Sequence, residues 1–263
     1  MDNISIYQVD AFTDELFKGN PAAVCILQNW LSDSQMQLIA AENNLAETAF
    51  VLTKGDIFQI RWFTPTIEVD LCGHATLASA YVLFNCLDYK KDTINFYSNR
   101  SGELRVSRQN ETLFLDFPTD TLEEQNNTTE IAACIGMEPQ LVYKGKTDYL
   151  VVLKTAEQVS VLEPNLNEIA KLNARGLIVT APGNMVDFVS RFFAPQSGID
   201  EDPVTGSAHT SLIPYWSEKL SKMEMTALQL SNRGGSLICI NNGDRCLIGG
   251  KARLYLTGEI NIE

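Results

Sequence analysis

The chain has only two histidines, His74 and His209, among its 263 residues. It has six cysteines, and no two of them form a C-x-x-C pair. These scarcities leave no zinc spacing to consider, and no metal is expected. No apolar run reaches the length of about 18 residues that a membrane-spanning helix needs. Positive charge is also short: 20 Lys and Arg stand against 33 Asp and Glu, a formal net charge of −13. Nucleic acid and anionic membranes both require a basic patch, so neither is expected as a partner. A small anionic ligand stays compatible with this charge, because helix dipoles act locally. The first residues, Met1-Asp2-Asn3-Ile4-Ser5-Ile6-Tyr7, carry neither a basic segment nor an apolar core, so no secretory signal is expected. Most of the cysteines sit in apolar runs and read as buried, reduced thiols of a cytoplasmic protein.

What the chain does have is an imperfect repeat of itself. Asn99-Arg100-Ser101-Gly102 returns as Asn232-Arg233-Gly234-Gly235, and Gly73-His74-Ala75 returns as Gly206-Ser207-Ala208 at the same offset. Arg61-Trp62-Phe63-Thr64-Pro65 returns, at nearly that offset, as Arg191-Phe192-Phe193-Ala194-Pro195. A repeat of domain size implies two like domains rather than a solenoid. Two like domains would meet at a pseudo-twofold cleft, a favoured place for a ligand.

Short runs rich in β-branched and aromatic residues predict strands over 4–12, 22–27, 48–52, 58–63, 104–106 and 112–117. In the second half the same signal covers 140–143, 149–153, 176–180, 188–193, 237–240 and 246–249. Ser32-Asp33-Ser34 reads as a helix N-cap before Met36, Leu38, Ile39 and Ala41. A second helix runs from about Gly73 to Phe84. It is apolar nearly all round and should be buried on all sides, with Ala75, Ala78 and Ala80 keeping it thin. A third follows Gly206, and Pro214 should kink it or end its first turns. Residues 119–130 are polar and acidic and form the best linker. The expected division is therefore a first domain over 1–118, that linker, and a second domain over 131–263, with a terminal strand free to cross back. Asn126 and Asn127 each begin an N-x-T triplet, which carries little without a secretory signal.

The repeated Gly73 and Gly206 each open an apolar helix, where unpaired N–H groups and the helix dipole favour an anion. The differences between the copies are where asymmetric chemistry could reside. His74 is matched by Ser207, Cys72 by Thr205, and Asp202 falls opposite Val69. Glu47, in Asn43-Asn44-Leu45-Ala46-Glu47-Thr48-Ala49-Phe50, begins an apolar strand, and its counterpart stretch Asn173-Ala174-Arg175-Gly176 has no acid. As an ordinary strand residue Glu47 is exposed. If it faces a desolvated cleft, burial moves such a carboxyl group toward the range of a general acid/base. His74 could then share its proton or hydrogen-bond a substrate, while His209 reads as packed within its helix.

These segments, with Tyr7-Gln8-Val9-Asp10-Ala11-Phe12-Thr13, Gly19-Asn20-Pro21-Ala22-Ala23-Val24, Leu71-Cys72-Gly73-His74-Ala75-Thr76 and Glu201-Asp202-Pro203-Val204-Thr205-Gly206-Ser207-Ala208, make the chain resemble the PhzF family of phenazine-biosynthesis-like isomerases and epimerases over nearly its full length. The resemblance implies an α+β, diaminopimelate-epimerase-like fold: two pseudo-symmetric domains, each a curved sheet around a central apolar helix. It implies a cofactor-free isomerase in which Glu47 moves a proton between carbons of a small carboxylated metabolite. His74 and Asp202 would assist, and Gly73, Gly206 and Ser207 would hold the anionic group, with Cys72 beside them. A homodimer is implied at the same level. Related racemases use two cysteines as bases, and Thr205 stands in the second place here. Two alternatives remain: a racemase or dehydratase centred on Cys72, and a small-molecule binding protein without catalysis.

Overall fold

The computed structural model describes residues 2–54, 57–126 and 128–262. Met1 and Asn127, named above, lie outside them. The chain divides into two compact units, residues 1–116 with 249–263, and residues 117–248.

The first unit contains β1 (Asp2–Ala11), β2 (Asn20–Leu27), β3 (Glu47–Lys54), β4 (Ile57–Phe63), β5 (Glu68–Val69), β6 (Thr93–Ser98), β7 (Gly102–Gln109) and β8 (Thr112–Pro118). Strand Ala252–Ile262 pairs antiparallel with β1 from Asp2↔Ile262 to Ala11↔Ala252. Along the sheet the pairings alternate: β1 and β2 antiparallel, β2 and β3 parallel, β3 and β4 antiparallel, β4 and β6 parallel, β6 and β7 antiparallel.

Helix α1 (Asp33–Asn43) begins at the N-cap Ser32. Ser32 Oγ accepts from Gln35 N at 3.2 Å, and Gln35 Oε1 accepts from Ser32 N at 3.1 Å. This reciprocal box satisfies two helix-start donors. The helix buries Met36 and Ala40, one turn apart, against Cys25, Phe50, Leu52 and Phe63. Leu38 points the other way and is exposed.

Helix α2 (Gly73–Tyr81) buries every residue from Gly73 to Ala80 and packs against β1, β2, β3 and strand Ala252–Ile262. A helix that is apolar nearly all round is stable only with such cover. It runs on into one π-helical turn, Val82–Cys86. Its two buried hydroxyls are satisfied locally: Thr76 donates to the Cys72 carbonyl at 2.6 Å and Ser79 to the Ala75 carbonyl at 2.7 Å.

The second unit contains β9 (Glu123–Glu124), β10 (Leu141–Lys144), β11 (Asp148–Val152), β12 (Gly176–Pro182), β13 (Phe188–Phe193), β14 (Glu224–Gln229), β15 (Gly235–Asn241) and β16 (Arg245–Gly250). The alternation is the same as in the first: β10 and β11 antiparallel, β11 and β12 parallel, β12 and β13 antiparallel, β13 and β14 parallel, β14 and β15 antiparallel. Helices α3 (Thr129–Ile135), α4 (Ala156–Ser160) and α5 (Leu166–Ile169) bury Ile131, Val159 and Ile169 in a core with Leu177, Val179 and Phe193. Helix α6 (Gly206–Leu220) packs against β11 and β15. Residues 119–130, linker-like in composition, carry β9, which pairs with β10, and the first turn of α3.

Pro214 lies inside α6 and does not end it; of the two outcomes expected from sequence, a kink or an end, the second is excluded. Proline lacks the N–H that would bond to the Thr210 carbonyl four residues back. That carbonyl accepts instead from the backbone N–H of Asp120 at 3.0 Å. Ser211, the next residue of the helix, donates to Asp120 Oδ2 at 2.9 Å. An outside donor thus replaces the bond that proline removes.

The repeat extends to individual bonds. Arg61 holds Glu68 through Nε at 2.7 Å and Nη2 at 2.9 Å, and Arg191 holds Glu201 through the same two nitrogens at the same two distances. Paired parallel bonds of this kind fix a carboxylate in its plane.

Candidate active site

Three sequence-predicted residues of the first unit come together: Glu47, Cys72 and His74. Glu47 is the first residue of β3 and pairs with Ala22 of β2. Cys72 is the N-cap of α2, and His74 lies in its first turn. All three are buried, and their ligand atoms lie within 4.8 Å of one another. His74 Nε2 stands 3.2 Å from Glu47 Oε2, and Cys72 Sγ stands 3.5 Å from His74 Nδ1. The sulfur and the carboxylate therefore meet opposite nitrogens of the ring. That arrangement suits proton passage across the imidazole better than closure round one ion.

Burial is the main influence on His74 and pushes it down to about 3, against a raising contribution from the Pro21 carbonyl. The ring is neutral near pH 7 and has one proton to place. The Asn20 amide nitrogen lies 3.1 Å from Nδ1. With that nitrogen as donor, Nδ1 accepts and the ring proton falls on Nε2, which lies 3.2 Å from Glu47 Oε2 but makes no hydrogen bond to any described residue as the ring now stands. Asn20 is the first residue of β2, after Gly19, whose φ is 64°. A Cβ on Gly19 would come within 2.1 Å of the Ala11 carbonyl oxygen, so only glycine can deliver Asn20 here. Asn20 belongs to a motif of the sequence but was not singled out as a site residue.

The other predicted residues belong to the second unit. Asp202 Oδ2 accepts from Thr205 Oγ1 at 2.6 Å. Buried Gln229 clamps the same loop, accepting from Thr205 N at 2.9 Å and donating to the Asp202 carbonyl at 2.7 Å. Thr205 is the N-cap of α6, and its side chain does not cap the helix. Cys72 likewise offers α2 no side-chain cap. Both helix starts thus keep N–H groups that their own caps leave to other acceptors. Gly206 and Ser207 form the first turn of α6. His209 is fully buried, lies 2.8 Å from the Thr205 carbonyl and faces the Phe188 ring.

A second group in this unit was not foreseen. Arg175, directly before β12, donates through Nε to Asp148 Oδ1 at 3.0 Å and through Nη2 to Ser207 Oγ at 2.9 Å. The sequence carries the signal: Arg175 lies in Asn173-Ala174-Arg175-Gly176, the counterpart of the stretch that holds Glu47, and is charged where that stretch has its acid nearby.

Comparison with known proteins agrees with this description. A family model described as "Phenazine biosynthesis-like protein" matches residues 9–258. An uncharacterized isomerase of Pseudomonas aeruginosa is 50% identical over 259 residues, covering 98% of this chain and 99% of the relative. Another, from Halalkalibacterium halodurans, is 45% identical, with 97% of each chain covered. The crystal structure of a PhzF-family phenazine biosynthesis protein from Enterococcus faecalis superposes with a TM-score of 0.96 at 46% identity, covering 99% of this chain and 100% of that one. The fold is the α+β, diaminopimelate-epimerase-like one, and the class it defines is that of isomerases. The chain belongs to the PhzC-PhzF family.

Proposed function

We propose that this isomerase works without a cofactor, moving a proton between carbons of a small carboxylated metabolite, with Glu47 as the general acid/base. The observation that carries the reading is the buried contact of 3.2 Å between the Glu47 carboxylate and His74 Nε2. The contact is not a hydrogen bond as the two groups stand, and a small turn of the carboxylate lets the neutral imidazole donate to it, orienting it to accept a proton from carbon. Glu47 takes the proton from the carbon next to the substrate carboxylate. In a substrate with a carbon–carbon double bond next to that carbon, the electron pair left behind spreads over the double bond, and Glu47 returns the proton to its far carbon. Negative charge develops on the substrate during this step and requires fixed donors. Gly73, Gly206 and Ser207 supply them at the helix starts, and Asp202 assists as a hydrogen-bonding group. The deciding experiment is a screen of small carboxylic acids for C–H exchange in heavy water. Exchange by the wild type and its loss in Glu47→Gln support the reading; full exchange in Glu47→Gln overturns it. Tight binding with no exchange of any acid points instead to a binding protein.

The Cys72 sulfur, 3.5 Å from His74 Nδ1, supports a second reading in which the thiol is the base. In that case Cys72→Ala is inactive and Glu47→Gln active.

A further inference from the structure

The group around Arg175 has no part in the chemistry above, yet it ends on one of its residues. Asp148, the first residue of β11, is buried, with 4% of its side chain exposed. Arg175 grips both of its oxygens, Nε to Oδ1 at 3.0 Å and Nη2 to Oδ2 at 2.5 Å. Thr147 Oγ1 adds a bond to Oδ2 at 3.1 Å, and the Arg175 backbone N–H donates to the Thr147 carbonyl at 2.8 Å. The guanidinium also lies over the Phe192 ring, 5.3 Å from its centroid. Held at the main chain, at two edges and at one face, it has little freedom to swing.

The consequence falls on Ser207. A guanidinium has donors and no acceptor. Ser207 Oγ, 2.9 Å from Nη2, must therefore accept that bond. Its own hydrogen is then turned away from Arg175, and no side chain or carbonyl among the described residues receives it. Nη1 of Arg175 likewise donates to no protein acceptor among the described residues. We infer that Asp148 and Arg175 form a positioning pair that makes Ser207 a committed hydrogen-bond donor, so that this place selects a carboxylate over a neutral amide. The inference rests on the proposed role of Ser207 in holding the substrate's anionic group. Bonds from a fixed donor to a charged oxygen are about twice as strong as those between neutral groups, which is the source of the preference.

The test uses the full chain and two probes of one shape, benzoate and benzamide. The amide resonances of Gly206, Ser207 and Ala208 report binding in titrations. The wild type is expected to bind benzoate at least tenfold more tightly than benzamide. Ser207→Ala and Arg175→Gln should each weaken benzoate about tenfold and leave benzamide nearly unchanged. The double variant should be no weaker than the singles, because the two residues act through one bond. Arg175→Lys keeps the charge but lacks the two-edged fork, and it should behave as Arg175→Gln. It also serves if Arg175→Gln fails to fold with Asp148 left alone. If Ser207→Ala weakens benzoate while the Arg175 variants bind normally, the inference fails and the proposed function stands. Multiplied losses in the double variant, or full rescue by lysine, have the same meaning. If benzoate leaves all three amides of the wild type unmoved, the anion-holding role of Ser207 falls, and this inference with it.

Discussion

Gly176 holds the position in its sheet that Glu47 holds in the other: Glu47 pairs with Ala22 across parallel strands, and Gly176 pairs with Asp148 across the matching parallel strands. The carboxylate has in effect changed strands between the halves. In the first it begins the later strand and meets a neutral imidazole. In the second it begins the earlier strand and is gripped by Arg175. A Cβ at residue 176 would come within 2.5 Å of the Phe192 ring and 2.7 Å of the Phe193 carbonyl oxygen, so no side chain can stand there.

Replacing Glu47 by glutamine should reduce turnover between about 10²- and 10⁴-fold, the usual span for loss of a positioned general base. The shape of the side chain is kept, so the melting temperature should stay within a few degrees of wild type. Exchange of substrate C–H in heavy water and a thermal melt measure the two effects.

Gly176→Ala should cost about 3 kcal/mol of stability, at the upper end for an overpacked site, because both nearby atoms are confined. One of them is backbone and cannot turn aside. Urea denaturation reads the change, and a loss below about 0.5 kcal/mol would contradict the predicted clash.

Stability should fall in acid through the two histidines. Burial pushes His74 down to about 3 and His209 down to about 4. In the unfolded chain both take up protons near pH 6.5. The unfolded state therefore binds more protons between those limits. Stability is complete above about pH 6.5 and declines as pH drops toward the folded values. Between pH 7.5 and 5 each histidine should contribute a loss of about 2 kcal/mol. Urea midpoints at the two pH values give the total, and His209→Gln should remove about half of it. A flat profile counts against both assignments.

Thiol chemistry should be slow in the folded protein. All six cysteines are free, and only Cys86 is not buried. Burial pushes Cys25 up to about 12 and Cys134 up to about 11, far from the thiolate that reacts. At pH 8 an aromatic disulfide reagent should modify at most one thiol quickly, and all six after denaturation. Cys72→Ser should keep activity within about tenfold. Complete loss in that variant would favour the thiol-centred reading.

Much of the fold is legible in the residues, because strong local signals and burial coincide. Ser32 and Gln35 announce α1, and the unbroken apolar stretch after Gly73 announces a fully covered helix. The terminal strand expected to be free to cross back has no bounds in the sequence, because most side chains of Ala252–Ile262 are exposed and no apolar alternation marks it; pairing with β1 supplies its order. Pro214 misleads because its compensation comes from a residue 94 positions earlier, which no local rule sees. At the site, the special residue types of Glu47, Cys72 and His74 draw attention by themselves. Asn20 and Arg175 do not. An asparagine after a glycine reads as a turn, and an arginine before a glycine reads as surface, until β2 and β12 bring them beside His74 and Ser207.

The bond from Asp120 to the carbonyl that Pro214 leaves vacant bears on where this chain tolerates breakage. By composition, the acidic stretch from 119 to 130 is the obvious place to nick, permute or insert. Yet opening the backbone at Asp120 would strip a mid-helix carbonyl of its donor and release Ser211 as well. The exposed turn at Gly243, with a φ of 83°, is tied to the same stretch: the Gly243 carbonyl accepts from Thr119 Oγ1 at 3.1 Å and the Asp244 carbonyl from the Thr119 N–H at 3.0 Å, but neither bond belongs to a helix ladder. A proline inside a helix has thus made a stretch that looks dispensable part of that helix's own ladder.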